Sequence, residues 1–283
     1  MIQDLGEFDS ATLIFGGPFS NLEATEAVFR AARCHRIGAD RMICTGDIAA
    51  VCADPHATSS LIRESGIAVV MGNCEESFGV GAADCGCGFE DDSICDRLAL
   101  QWFSYTQQRL DQSTTRWMSG LPRRLDFTMA GHRLAVIHGA VSSINGFVFE
   151  SSAKELIVRE VELADVDGVI GGHTGLPFTR MVEGHLWHNA GVIGLPANDG
   201  TPRVWYSLMI PEGNTIRIET RALHYDHATT AAKMRHEGLP EAYAGSLLTG
   251  LWPSMEYLPN AEAAAQGRSL VPTVQIWSTS GDR

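Results

Sequence analysis

Positive charge is scarce in this chain. Its 283 residues include 21 Lys and Arg against 34 Asp and Glu, a formal net charge of −13. That balance argues against a nucleic-acid partner, which needs clustered cations to replace phosphate counterions. It also repels anionic substrates at long range, so a local cation or metal must reverse the field wherever a phosphate binds. Long apolar runs are missing too. No stretch approaches the roughly 18 uninterrupted residues a spanning helix needs, so no membrane partner is expected. The opening MIQDLGEFDS is acidic and has no apolar core, so no secretory leader is expected either. Seven cysteines, an odd number in a chain this long, suggest no disulfide framework. Reduced thiols and a cytoplasmic location are the simpler expectation. Internal repeats and low-complexity linkers are absent as well. What is present is ordinary for a globular protein, with 45% hydrophobic and 19% charged residues.

The first half alternates short apolar runs with helical spacing. Residues 12–15 read as a buried strand ending at Gly16-Gly17, and Asn21 to Arg36 as a helix with Asn21 at its N-cap. Residues 41–45 form a second strand ending at Gly46-Asp47. A helix over Pro55 to Glu64 then leads to a third strand, Ile67 to Met71, ending at Gly72-Asn73. Strand, helix, strand, helix, strand is the pattern of parallel β-α-β units. Residues 74–95 form a loop rich in Gly, Asp and Cys, and helices are expected over 96–110 and 113–119. A hairpin turning at Gly131-His132 leads to His138-Gly139. A helix near 152–163 precedes the strand 168–170, which ends at Gly172-His173. Short strands are expected at 179–182, 186–188, 204–210 and 215–220, then one or two helices between 228 and 248. After Pro259 no periodicity is evident, and the segment suits mobility or oligomer contacts.

In such sheets ligands bind beyond the carboxyl ends of the strands. Four strand tips deliver Asp47, Asn73, His138 and His173. Singly, an Asp after Gly is a turn residue and a His at a strand end is merely hydrogen-bonded. Together, one carboxylate, one amide oxygen and two imidazoles make a first shell for Mn, Fe or Zn.

The order Gly46-Asp47, Gly72-Asn73, His138-Gly139 and Gly172-His173-Thr174 resembles the motif ladder of calcineurin-like metallophosphoesterases, especially the small bacterial branch. There it reads D-x-H-G-N, G-D, G-N-H-D, H-G and G-H-T-H. The resemblance covers roughly residues 11 to 210 and extends more loosely over the tail. It implies an α/β fold, a four-layer α/β/β/α sandwich of two mixed sheets flanked by helices. It also implies a dinuclear site in which the Asp of G-D bridges two metals. Residues 1–222 would form this domain. Residues 223–283 would form a helical tail packed on it or on an oligomer partner.

Departures from the pattern fall on one side of the site. Gly17 and Phe19 stand where the first motif offers Asp and His, and Gly175 where the last offers a second His. The ligands that the resemblance gives to the other metal, Asp47, Asn73, His138 and His173, are all present. One divalent transition metal is therefore expected, with no organic cofactor. Cys74 replaces the His of G-N-H-D. It suits a thiolate ligand, a nucleophile or a redox site if its pKa is lowered, and otherwise a small buried filler. Glu75 suits a general base or a water-orienting group, or else an exposed loop carboxylate. Cys85 and Cys87 can supply thiolates from above the site or simply occupy a tight glycine turn. Period-two alternation lets at most one of His185 and His188 face the pocket. The expected function is a metal-dependent hydrolase of a small phosphoester or related ester, with His138, Cys74 and Glu75 as catalytic candidates. The alternatives are a non-catalytic sensor or scaffold, and thiol or metal redox chemistry.

Overall fold

A computed structural model of the chain describes residues 1–278. Two six-stranded mixed sheets face each other. The first contains β1 (Ile2–Glu7), β5 (Arg124–Met129), β6 (His132–Val136), β7 (Gly168–Gly171), β8 (Pro177–Val182) and β9 (His185–Ala190), in the order β1-β5-β6-β7-β9-β8. The second runs β12-β11-β10-β2-β3-β4, built from β2 (Thr12–Phe15), β3 (Met42–Cys44), β4 (Ala68–Val69), β10 (Val204–Glu212), β11 (Thr215–Leu223) and β12 (Thr273–Trp277).

Strand alternation explains the layering. On β2, Leu13 and Phe15 face α1 (Leu22–Cys34) and α2 (Pro55–Ser65), while Ile14 joins the core between the sheets. On β6, Leu134 and Val136 enter that same inner core, and Ala135 faces α6 (Lys154–Ala164). Successive side chains on a strand point to opposite faces, so each strand supplies two apolar layers. The four-layer α/β/β/α arrangement expected from the resemblance is the one observed.

The N-terminal strand was not expected. Its residues 2–7 are almost all exposed, so no apolar alternation marks it, yet β1 pairs in parallel with β5. The hairpin turns one residue earlier than the sequence suggests. Ala130 and Gly131 both take positive φ, 51° and 80°, and His132 already pairs with Met129. A two-residue turn with both central φ positive matches the twist of the flanking strands.

The segment after Pro259 is structured rather than featureless. It forms α9 (Asn260–Ala264) and then β12, which pairs antiparallel with β11 and seats Trp277 in the inner core. The two tail helices, α7 (His227–His236) and α8 (Glu241–Thr249), pack with α4 (Ile94–Gln107) around the mouth of the site. Residues 279–283 of the expected tail lie outside the described residues. Among the described residues, no helix is long and apolar enough to cross a membrane.

Candidate metal centre

The site lies where the carboxyl ends of two parallel strand pairs meet, β3 with β4 from one sheet and β6 with β7 from the other. Asp47 follows β3 by three residues, and Asn73 opens α3 (Asn73–Val80) four residues after β4. His138 and His173 each lie two residues beyond their strands. Asp47 and His173 adopt φ of 57° and 62°. Asp and His tolerate this left-handed region better than most side chains, and such conformations cluster at functional sites. Gly46, at φ 95°, cannot carry a side chain, since a Cβ there would lie 2.7 Å from the Gly72 nitrogen.

His138 is the hub. Its Nε2 lies 3.0 Å from Asn73 Oδ1, 3.2 Å from Asp47 Oδ2 and 3.2 Å from His173 Nδ1. Its Nδ1 lies 2.6 Å from the Thr45 carbonyl, which can only accept, so Nδ1 carries a proton and the neutral ring turns its Nε2 lone pair inward. Burial lowers the pKa of this ring, but Asp47, the Thr45 carbonyl and Glu75 outweigh it and raise it. Asn73 is oriented by the same logic. Its Nδ2 donates to the Cys85 carbonyl at 2.8 Å, which turns Oδ1 toward the centre.

Four groups thus aim lone pairs at one buried point. A single proton on Nε2 can serve them only one at a time, whereas a divalent cation serves all four. The Nε2 of His173 is also buried without a hydrogen-bond partner. The donor set of one carboxylate, one amide oxygen and two imidazoles fits a borderline transition metal. Without counting Asn73, Asp47, His138 and His173 already bring donor atoms within 4.8 Å of one another.

The charges are strongly coupled. Burial raises the Asp47 carboxyl, but His138 and His173 overcome it and hold the group at about 2. Burial, then the neighbouring His138, pushes His173 down to about 3. Burial together with Asp47 and Glu75 pushes the Cys74 thiol well up. Low-pKa thiolate character, which nucleophilic or ligating cysteines need, is absent from Cys74 in this state.

Glu75 is fully buried, not the exposed loop carboxylate considered above, and it does not face the pocket. Its Oε2 accepts the backbone N–H of Asp47 at 2.7 Å and of Gly72 at 2.9 Å, and Oε1 accepts that of Ile48 at 2.7 Å. Burial and the Asp47 charge push its pKa up to about 7. Its geometry is that of a clamp on the Asp47 loop rather than a general base.

Cys85 and Cys87 are joined by a disulfide, which corrects the expectation of reduced thiols at this pair. Neither offers a thiolate in this state, though Cys87 Sγ rests 3.5 Å from Asn73 Nδ2. His188 is not brought to the centre. It is buried on β9, with Nδ1 2.9 Å from the Thr179 hydroxyl, and burial pushes its pKa down to about 4 from an ordinary 6.5. In the unfolded chain the ring takes a proton below pH 6.5, while the folded ring resists until about 4. The stability contributed by the neutral ring is complete above 6.5 and is lost as pH falls through 4, on the order of 3 kcal/mol at most. His188→Gln is therefore expected to flatten the fall in stability across that window. Urea unfolding at stepped pH checks this, and an unchanged slope would refute it.

Side chains crowd the positions where the sequence departs from the family pattern. A Cβ on Gly17 would lie 2.7 Å from Phe19 Cζ and 2.6 Å from a Val192 methyl carbon. A Cβ on Gly175 would meet the Trp252 indole at 3.2 Å. Sequence reasoning noticed the three departures but not what occupies the space. Gly17→Asp alone is expected to destabilise the fold by about 1–3 kcal/mol through overpacking. Adding Phe19→His should recover only part of the loss, because the Val192 contact and the positive φ of 36° at Gly17 remain, as thermal unfolding of both variants would show.

A cavity of about 90 Å³ opens over the centre, lined by Asp47, Cys74 and His173 at its floor. Its walls include Phe19, Phe147 and, from the tail, Trp252 and Tyr257. The only hint of the tail's role was its concentration of aromatics between 243 and 257.

Known proteins share this architecture. The uncharacterized protein MJ0912 of Methanocaldococcus jannaschii is 24% identical over 243 residues, covering 82% of this chain and 94% of that protein. A metallophosphoesterase from Sphaerobacter thermophilus superposes with a TM-score of 0.68 at 22% identity, over 86% of this chain and 100% of that one. Hypothetical protein PH1004 from Pyrococcus horikoshii gives 0.73 at 15% identity, over 89% and 100% respectively. Residues 20–210, more than half of the chain, match the calcineurin-like phosphoesterase superfamily domain, and the chain belongs to that superfamily.

Proposed function

We propose that the protein hydrolyses a small phosphoester or related ester with a single divalent metal held by Asp47, Asn73, His138 and His173. The observation that carries this reading is the convergence of three donors on His138 Nε2 at 3.0–3.2 Å, with the opposite ring nitrogen committed to Thr45. Mn, Fe and Zn all suit the donor set. When bound, such an ion lowers the pKa of water and polarises a phosphoryl oxygen.

The chain's own residues set the geometry. Thr45 fixes the tautomer of His138, Cys85 orients the Asn73 amide, and Glu75 pins the loop that carries Asp47. These supports do for the ligands what outer-shell hydrogen bonds do at metal sites generally. Hydrolysis breaks the ester P–O bond, adds a hydroxyl from water to phosphorus and returns a proton to the leaving oxygen. Water is assigned as the nucleophile in this reading, and burial with the neighbouring Asp47 and Glu75 raises the Cys74 thiol. Glu75 acts as a positioning residue, its oxygens being taken up by backbone N–H groups.

The test is turnover of bis(p-nitrophenyl) phosphate and p-nitrophenyl phosphate by metal-replete protein. Turnover should disappear on chelation and return on adding Mn, Fe or Zn. Activity that survives chelation would sink the reading. The side chains packed into the second berth also suit a site that holds a ligand without cleaving it. Full metal occupancy with no turnover on a broad ester panel would favour that reading.

A further inference from the structure

The cavity above the metal ligands is apolar almost throughout, and its walls come from four separate stretches of chain. Phe19 arrives from the loop after β2, Phe147 from the loop after β6, and Phe89 from the segment before α4. Trp252 and Tyr257 come from the tail. The rings form a continuous shell that begins at a metal ligand. Phe147 lies 4.5 Å from the His173 ring and 5.4 Å from Tyr257, and Trp252 stacks on Tyr257 at 5.9 Å. Trp252 is locked in place by its indole N–H, which donates to the Pro196 carbonyl at 2.6 Å.

Among the described residues, neither Lys nor Arg lines this cavity. That decides how much negative charge it can take. A divalent cation on Asp47 leaves a net charge of +1. A dianionic phosphate monoester would carry one charge into an apolar chamber without a partner, and burying an unpaired charge is costly. The overall charge of −13 repels such a dianion at longer range as well. An apolar ring faces the opposite balance, since aromatic walls favour it by area burial and by ring–ring contact. The cavity of about 90 Å³ is roughly six times the ~15 Å³ one water needs, which is the scale of a small ring.

We propose that this cavity selects an ester bearing at most one negative charge and carrying a ring-sized apolar substituent, with Phe19, Phe147, Trp252 and Tyr257 as the specificity-determining residues. The position of the ester centre rests on the metal reading above, whereas the apolar selection rests on the walls alone. Phe19, which stands where the family pattern offers a His, is thus a wall of the binding chamber, and Trp252, beside Gly175, is another.

Calorimetric titration of metal-replete, full-length protein tests this without relying on catalysis. Three probes separate ring from charge: methyl phenylphosphonate and methyl methylphosphonate, which are both monoanions, and inorganic phosphate. The expected result is that methyl phenylphosphonate binds at least tenfold tighter than methyl methylphosphonate, and tighter than phosphate. Tyr257→Ala and Phe147→Ala should each reduce the ring preference severalfold, while Trp252→Phe should largely keep it. Equal affinity for the two phosphonates, or tightest binding of phosphate, would overturn the proposal even if the protein hydrolyses esters. Ring preference in a protein that turns over no ester would uphold this proposal and defeat the hydrolase reading.

Discussion

Asp47→Ala is expected to lower metal affinity at least a hundredfold and to abolish any metal-dependent turnover. Asp47 supplies the only carboxylate among the four proposed ligands, and its Oδ2 sits 3.2 Å from His138 Nε2. Removing it takes away the one full negative charge that balances a divalent ion there. Losing even an outer-shell partner typically costs ten- to a hundredfold in metal affinity, so losing a direct ligand should cost more. The substitution also frees the Cys74 N–H, which Asp47 Oδ1 accepts at 3.2 Å. Equilibrium dialysis of variant and parent against Zn and Mn measures the effect. Binding within a few fold of the parent would mean the carboxylate is not a ligand.

Glu75→Ala should produce the largest loss of stability. Three buried backbone donors, on Asp47, Ile48 and Gly72, would lose their acceptor at once. Each unsatisfied buried donor costs about 1–3 kcal/mol, less whatever water can recover, so a total of about 3–5 kcal/mol is expected. For a domain of this size that is a fall in Tm of roughly 10 °C or more. Glu75→Gln keeps one oxygen acceptor and should recover part of the loss. A general base facing the pocket would behave differently, with activity lost and Tm barely moved. Comparing Tm with turnover across the two variants separates the roles.

Much of this site was legible in the sequence because each proposed ligand follows a strand and all four adjoin a glycine. Gly46-Asp47, Gly72-Asn73, His138-Gly139 and Gly172-His173 are local patterns, and local patterns survive reading from one sequence. The inner and outer cores were legible for the same reason, through alternation on strands such as β2 and β6. What could not be read depends on residues far apart in the chain. Trp252 covers Gly175 only because α8 returns the tail to the mouth of the site, and nothing near position 175 signals this. Glu75 was read as a general base, a water-orienting group or an exposed loop carboxylate, from its place in the Gly72-Asn73-Cys74-Glu75 motif. Its carboxylate is in fact occupied by a loop 27 and 28 positions earlier. β1 was missed because it lies at a sheet edge with both faces largely wet, and β12 because Val274 and Ile276 remain exposed on an edge strand.

The departures at Gly17, Phe19 and Gly175 also read differently against the packed structure. A side chain at Gly17 would meet the Phe19 ring and a Val192 methyl carbon, and one at Gly175 the Trp252 indole. Restoring a single ligand should therefore fail, since the space it needs is already filled.

Elemental analysis of the purified full-length chain, grown in metal-supplemented medium, goes straight to the one-cation centre. One transition-metal ion per chain is the predicted stoichiometry, falling to none in Asp47→Ala. Two ions per chain, or one that persists in the variant, would contradict it.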